Sequence, residues 1–217
     1  MSMLFPRDRT EIAPDAVHVP DWLDPGRQLK LLESCREWAR PPSGLRTVRT
    51  PGGGTMTARQ VCLGWHWYPY GYARTVVDGD GGPVKPFPGW LDELGRDAVT
   101  EALGGGAATA AYDIALINFY DADARMGMHR DSDERSEAPV VSLSLGDTCV
   151  FRFGNPETRT RPYTDVELRS GDLFVFGGAS RLAHHGVPRV LAGTAPPELG
   201  LTGRLNVTLR VSGFRAA

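Results

Sequence analysis

Cysteine is scarce in this 217-residue chain: Cys35, Cys62 and Cys149 are the only three, and no two of them form a CxxC pair. That excludes a disulfide framework and a cysteine-built zinc site. No apolar run approaches the roughly 18–20 residues that cross a bilayer, which excludes a transmembrane helix. The opening MSMLFPRDRTEIAPD offers neither an apolar core nor a small-residue cleavage site, so no export signal is read there. Lysine is nearly absent, with Lys30 and Lys85 the only two among 24 basic residues. These absences predict a reduced, soluble, cytoplasmic protein whose positive charge rests on arginine.

What is present is the composition of a globular chain, 41% hydrophobic and 23% charged. Its 26 glycines and 17 prolines call for many tight turns. The length suits one domain able to bury a core without staples. The net charge of −2 gives no overall reason to expect nucleic acid, but the charge is unevenly spread. Residues 36–77 carry six arginines (Arg36, Arg40, Arg46, Arg49, Arg59, Arg74) against one acid, Glu37, a local formal charge of +5. The same stretch holds Trp38, Trp65, Trp67, Tyr68, Tyr70 and Tyr72.

Residues 24–40 read as a helix, with Asp24 as cap, Pro25 in the first turn, a stripe of Leu29, Leu32 and Cys35, and Pro41-Pro42 as the stop. A second helix fits 90–103, with Leu91, Leu94, Ala98 and Ala102 on one stripe and Gly104 ending it. Between them, residues 43–88 suggest short β-like pieces around a PGGGT turn at 51–55. From Tyr112 onward the texture is short and alternating. Segments 112–120, 139–146, 148–154, 166–178 and 204–214 read as strands, a spacing that suggests a β-sandwich or barrel. The expected fold class is therefore mainly β with flanking helices. A mixed front, residues 1–110, packs on an all-β back, residues 111–217, as one compact unit.

Two short segments carry metal chemistry. In His129-Arg130-Asp131, extended backbone would put the histidine and the carboxylate on one face, because strand side chains alternate. A further histidine follows in RLAHHG (181–186), His185 being 54 positions beyond Asp131. Two histidines and one carboxylate form the facial triad of non-haem Fe(II) sites, although zinc takes the same donors. The last strand favours iron. Alternation puts Arg204, Asn206, Thr208 and Arg210 on one face and Leu205, Val207, Leu209 and Val211 on the other. Arginine grips carboxylates bidentately, so a polar face of this kind beside a metal suits a dicarboxylate such as 2-oxoglutarate. Asn118 and Tyr120 share a face of the 112–120 strand and can donate to the same acid. The plain alternative is a solvated polar face.

The runs LINFYDADARMGMHRDSDE (116–134), VSLSLG (141–146), GDLFVFGGASRLAHHG (171–186) and RLNVTLR (204–210) resemble the AlkB family of Fe(II)/2-oxoglutarate dioxygenases. PGGGTM (51–56) and LGW (63–65) are similar to that family's nucleotide-recognition lid. The resemblance implies a double-stranded β-helix (jelly-roll) core under an N-terminal lid. It implies Fe(II) on His129, Asp131 and His185, with 2-oxoglutarate on Asn118, Tyr120, Arg204, Asn206 and Arg210 and O2 as second co-substrate. It makes Trp65 the aromatic that stacks on a flipped base, puts Tyr72 and Arg74 against nucleotide backbone or sugar, and sets Asp133 on the damaged base. A further contact falls to Arg159 or Arg161. His184 is left to packing or support of the site. One departure is that Arg74 stands where an aromatic is found in the family.

The activity implied is oxidative demethylation of 1-methyladenine- or 3-methylcytosine-type bases. The substrate would be single-stranded DNA or a base flipped from a duplex, with RNA as a further substrate. No membrane partner is expected, and the protein is expected to be a monomer. The alternatives are a 2-oxoglutarate oxygenase acting on tRNA, a small molecule or a protein, and a non-catalytic nucleic-acid-binding jelly roll. Trp67, Tyr68 and Tyr70 are expected to pack the lid, His66 to be structural or exposed, and Glu134 to be solvated.

Overall fold

A computed structural model describes residues 6–214. The outermost residues of the expected front and back segments lie outside that range. Two antiparallel sheets face one another, with two helices on the outer side of the larger sheet. The large sheet is built from β1 (Thr10–Ala13), β2 (Ala16–Val19), β3 (Arg46–Arg49), β4 (Thr55–Leu63), β7 (Ile114–Tyr120), β9 (Val140–Gly146), β12 (Leu173–Phe176) and β14 (Arg204–Arg210). Its spatial order is β1-β2-β12-β9-β14-β7-β4-β3. The small sheet contains β8 (Met126–His129), β10 (Thr148–Phe153), β11 (Thr164–Leu168) and β13 (His185–Leu191), in the order β11-β10-β13-β8. A separate hairpin, β5 (His66–Tyr68) with β6 (Gly71–Ala73), lies in the aromatic stretch.

Helix α1 (Pro25–Trp38) starts as its sequence dictates: the Asp24 carboxylate accepts from the Arg27 backbone N–H at 3.0 Å, and proline occupies the first turn. Its buried stripe is Gln28, Leu31, Leu32 and Cys35; Leu29, expected inside, is exposed. Helix α2 (Gly89–Leu103) buries Leu91, Gly95, Ala98, Val99 and Ala102 and ends at Gly104, whose φ is +89°. Leu94 is only partly buried.

The expected strand over 166–178 is two strands in different sheets. Gly171 breaks it with φ +89°, and a Cβ there would come within 2.8 Å of the Leu23 carbonyl oxygen. Residues 204–214 are strand only as far as Arg210. β8 and β13 are strands that alternation does not reveal, because Gly127, Gly186 and Pro188 interrupt it. The lid segment holds one nine-residue strand, β4, paired along β7 from Arg59↔Phe119 to Leu63↔Ala115. The sheet therefore runs continuously across residue 110.

Alternation on β7 and β14 divides the interior. Ala115, Ile117, Leu205, Val207 and Leu209 face a core shared with Leu31, Leu32, Leu91 and Ala98 of the helices. A second core, between the sheets, holds Tyr120, Phe151, Phe153, Phe174, Phe176 and Val187. Burial of this kind contributes about 25 cal/mol per Å² of apolar surface and fixes both registers. The polar face of β14 is not solvated: Arg204, Thr208 and Arg210 are buried, and Asn206 is half-buried.

Candidate metal centre and active site

β8 and β13 are register neighbours with His129 opposite His185, and Asp131 follows two residues after β8 ends. One donor atom from each of the three lies within 4.8 Å of the other two. His129 Nε2 is 3.6 Å from Asp131 Oδ1, and His185 Nε2 is 3.6 Å from Asp131 Oδ2. The other ring nitrogens are occupied: His129 Nδ1 meets the Gly127 carbonyl at 2.9 Å and His185 Nδ1 meets that of Ala183 at 3.0 Å. A carbonyl can only accept, so both Nδ1 atoms carry the proton and both Nε2 lone pairs are free to bind metal.

The protonation states agree with a metal site. Burial lowers the His185 imidazole to about 4 despite the nearby Asp131 carboxylate. Burial alone would raise the Asp131 carboxyl, but Arg210, His185 and His129 outweigh it and bring it down to about 2. At neutral pH His185 is a neutral imidazole and Asp131 a carboxylate, the protonation metal binding requires of both. Asp131 Oδ2 is buried without a hydrogen-bond partner. An orphaned buried carboxylate oxygen is costly unless a cation meets it, and the donor set fits a divalent metal. Phe176, Phe151 and Phe153 pack around His185 at centroid distances of 5.0, 5.8 and 6.4 Å, lining the centre with apolar surface.

The residues expected to hold a dicarboxylate lie on the inner face of β7 and β14, where Arg204 pairs with Tyr120 and Asn206 with Asn118. Arg204 is buried; its Nη2 donates to Ser144 Oγ at 2.9 Å, while its Nε has no partner. Tyr120 is buried, with its hydroxyl 3.6 Å from Met126 Sδ. Asn206 is largely engaged within the sheet, donating to Ser142 Oγ at 2.7 Å and accepting from Thr208 at 2.7 Å. Arg210 sits 2.6 Å from Asp131 Oδ1, so the far end of this face touches the metal centre directly.

Just before the β5–β6 hairpin, Trp65 is half-buried, with the Arg74 guanidinium 3.5 Å above its ring and Phe214 edge-on at 4.9 Å. Arg74 also donates to the Gly64 carbonyl at 2.8 Å. The Tyr72 hydroxyl donates to Glu134, and Arg210 approaches the same hydroxyl at 3.3 Å. Trp67 does more than pack: its Nε1 donates to Asp133 Oδ2 at 2.8 Å. Arg159 and Arg161 are exposed on the loop after β10. That loop is fastened to His184, whose Nδ1 and backbone N–H both meet the Asn155 carbonyl.

Two expectations need correction. Glu134, expected in solvent, has a side chain with no exposure and sits between Arg181 (3.1 Å) and Arg210 (2.9 Å). Tyr70, expected to pack, is 81% exposed, because φ of +70° at the hairpin turn swings it outward. Of the two readings of His66, structural or exposed, the structural one holds: it is buried, with Nε2 2.7 Å from Asp78 Oδ1. Arg46 is also spent internally on Asp78, whereas Arg49 and Arg59 remain on the surface. Sequence reading missed Arg181 altogether. This buried arginine donates to the Asp131 backbone carbonyl at 2.7 Å and to Glu134, and no spacing rule singles it out.

The model of the 2OG-Fe(II) oxygenase superfamily matches residues 15–210. The chain is 35% identical over 175 residues to the alpha-ketoglutarate-dependent dioxygenase AlkB of Escherichia coli, covering 79% of each. It is 38% identical over 195 residues to an AlkB homolog of Caulobacter vibrioides, covering 88% of this chain and 84% of that one. It is 32% identical to the DNA N(6)-methyladenine demethylase ALKBH1D of Arabidopsis thaliana over 92% of this chain, which spans about half (50%) of that relative's length. The solved structure of OsALKBH1 superposes with a TM-score of 0.82 at 30% identity, covering 93% of this chain and all of that one.

Proposed function

The chain belongs to the 2OG-Fe(II) oxygenase superfamily and, within it, to the AlkB family, and from that membership we propose that it oxidatively removes alkyl groups from nucleic-acid bases. The observation that carries the reading is the His129–Asp131–His185 cluster joined through Arg210 to a buried face of carboxylate-binding residues. Bound there, Fe(II) with 2-oxoglutarate and O2 supplies the oxidant, yielding succinate and CO2 and placing one oxygen atom in a C–H bond of the N-alkyl group. The N-hydroxymethyl base would then lose formaldehyde and a proton, which returns the lone pair to N1 of adenine or N3 of cytosine.

The chain's own residues hold, orient and shield. His129, Asp131 and His185 hold the metal. Arg204, Asn118, Tyr120, Asn206 and Arg210 form the wall that receives the dicarboxylate, with Arg204 Nε and Arg210 Nε as buried donors without a partner among the described residues. Phe151, Phe153 and Phe176 keep water from the centre. The target atom lies on the Watson–Crick edge, so the base must be single-stranded or flipped. Trp65 offers the stacking surface, Asp133 a charge for a cationic lesion, and Arg49 and Arg59 salt-dependent contacts to phosphate. Tyr72 closes over Arg210, and Arg159 or Arg161 borders the substrate from the loop after β10. Three free cysteines support a reducing, cytoplasmic location.

The test is a mass-resolved turnover assay with Fe(II), ascorbate, 2-oxoglutarate and an oligonucleotide carrying one 1-methyladenine, 3-methylcytosine or N6-methyladenine. Loss of one CH2 with matching formaldehyde and succinate, absent from a His129→Ala control, is expected for the first two bases. Loss confined to N6-methyladenine would move the substrate to the neutral base named for the plant relative. Succinate without loss of CH2 would move the substrate away from bases, and no succinate from metal-loaded protein would leave a binding module.

A further inference from the structure

We propose that Gln60 is a positioning residue that fixes which edge of the Asn118 amide faces the co-substrate. The inference rests on the 2-oxoglutarate reading above and adds a residue to that site. Gln60, on β4, is 2% exposed and register-paired on one side with Asn118 and on the other with Arg46. Its two amide ends meet opposite chemistry. Oε1 lies 3.4 Å from Arg46 Nη2 and 3.5 Å from Cys62 Sγ, while Nε2 lies 3.0 Å from Asn118 Oδ1.

That arrangement has one hydrogen-bonding solution. A guanidinium has five donors and no acceptor, so the Gln60 nitrogen cannot face Arg46. Burial pushes the Cys62 thiol up, so it too remains a donor. Gln60 must therefore accept from Arg46 and Cys62 and donate to Asn118. Asn118 must in turn present its oxygen to Gln60, which leaves both N–H groups of Nδ2 for the inner face. A carboxylate arriving there meets donors. With the amide reversed it would meet an oxygen, losing a charge-assisted hydrogen bond and gaining a repulsion.

Arg46 is itself held by two further acceptors, one of which is held in turn. Its Nε donates to Asp78 at 2.7 Å, its Nη2 to the Trp67 carbonyl at 2.6 Å, and Asp78 also takes His66 Nε2 at 2.7 Å. Because His66 and Trp67 belong to the lid hairpin β5–β6, the chain His66–Asp78–Arg46–Gln60–Asn118 sets the polarity of a donor in the pocket from outside it.

Two substitutions separate positioning from packing. Gln60→Leu removes the constraint and leaves Asn118 free to reverse. Gln60→Glu keeps the shape and gains charge against Arg46, but its carboxylate accepts from Asn118 Nδ2 and turns that nitrogen away from the pocket. We expect calorimetric titration of 2-oxoglutarate into the Mn(II)-loaded protein to give a Kd raised about three- to twentyfold by Gln60→Leu and further by Gln60→Glu. Melting temperature and Mn(II) affinity should stay near wild type for Gln60→Glu. In an Asn118→Ala background, Gln60→Leu should change Kd less than about twofold, because its route of action is gone. An equal effect of Gln60→Leu in both backgrounds, or Gln60→Glu binding as tightly as wild type, would overturn the positioning role. Wild-type protein that binds Mn(II) but no 2-oxoglutarate would instead overturn the reading beneath it.

Discussion

Glu134 and Asp131 share one guanidinium: Arg210 Nη1 lies 2.9 Å from Glu134 Oε1, and its Nη2 lies 2.6 Å from Asp131 Oδ1. Burial alone would raise the Glu134 carboxyl, but Arg210 beside it, with the Tyr72 and Arg210 hydrogen bonds, brings it below the ordinary range despite repulsion from Asp131. Arg210 thereby ties a candidate metal ligand to a carboxylate that also receives Tyr72 of the lid and Arg181 of the loop before β13. Removing that carboxylate leaves two buried guanidiniums competing for Asp131.

Glu134→Ala is accordingly expected to destabilise the fold by about 3 kcal/mol, the scale for breaking a buried ion pair, and to lower Tm by roughly 10 °C. Glu134→Gln, which keeps the shape and one acceptor, should cost less. Thermal denaturation of the metal-free proteins measures both. A Glu134→Ala Tm within a degree or two of wild type would mean that the cluster contributes nothing net.

A second buried carboxylate sets the acid limit. Asp172 has no side-chain exposure and receives two Arg7 donors (2.6 and 2.7 Å), His18 Nε2 (2.9 Å) and the backbone N–H groups of Asp21 and Arg169. Burial alone would raise its carboxyl, yet the His18 and Arg7 hydrogen bonds with the two backbone donors outweigh it and bring it down to about 2. The folded value lies below the unfolded one, so the stabilisation is complete above about pH 4 and is lost as pH falls from there toward 2. That window should remove on the order of 2 kcal/mol. Asp172→Asn should flatten the pH–stability curve between those limits, measured by urea denaturation at stepped pH. An acid limb as steep as wild type would assign it to other carboxylates.

Much of this was legible in the chain, for identifiable reasons. The apolar-rich runs of β7 and β9 mark them as strands buried on both faces, and alternation on β14 alone sets Arg204, Asn206 and Arg210 together. His129 and Asp131 are two residues apart, so local geometry decides their neighbourhood. Glu134, Arg181 and Gln60 were illegible because their roles come from tertiary neighbours. A glutamate in DSDER reads as solvated until two arginines from distant strands and loops close on it. β8 and β13 were hidden by glycine and proline, although they carry both histidines and pair with each other. Gly171 turned one apparent strand into two, because a positive φ there redirects the chain between sheets.

Trp65 has one face covered by Arg74, so a base can use only the other face. Trp65→Ala should weaken oligonucleotide binding by about five- to a hundredfold, the measured range for losing a base–aromatic stack, and leave the Kd for 2-oxoglutarate unchanged. Arg74→Ala should weaken it less and leave the salt dependence of binding as in wild type, because its guanidinium is engaged with the indole and the Gly64 carbonyl. A slope reduced by about one would instead make Arg74 a phosphate contact. Filter binding across a salt series distinguishes the two.

Asp133 has one carboxylate oxygen taken by Trp67 Nε1 at 2.8 Å and the other uncommitted to any described partner. A base alkylated at N1 of adenine or N3 of cytosine is cationic, so a held carboxylate favours it over the neutral base by Coulomb attraction, more strongly as water is excluded. Asp133→Ala should therefore lower the preference for 1-methyladenine over a neutral N6-methyladenine competitor while succinate production without nucleic acid persists. Trp67→Phe keeps the ring but removes the N–H donor, freeing the carboxylate to swing, and should shift the same preference by a smaller factor. Competition between the two oligonucleotides, resolved by mass, reads both effects. If Asp133→Ala left the ratio unchanged, discrimination would have to come from the shape of the base site, with the charge of Asp133 serving only to hold Trp67.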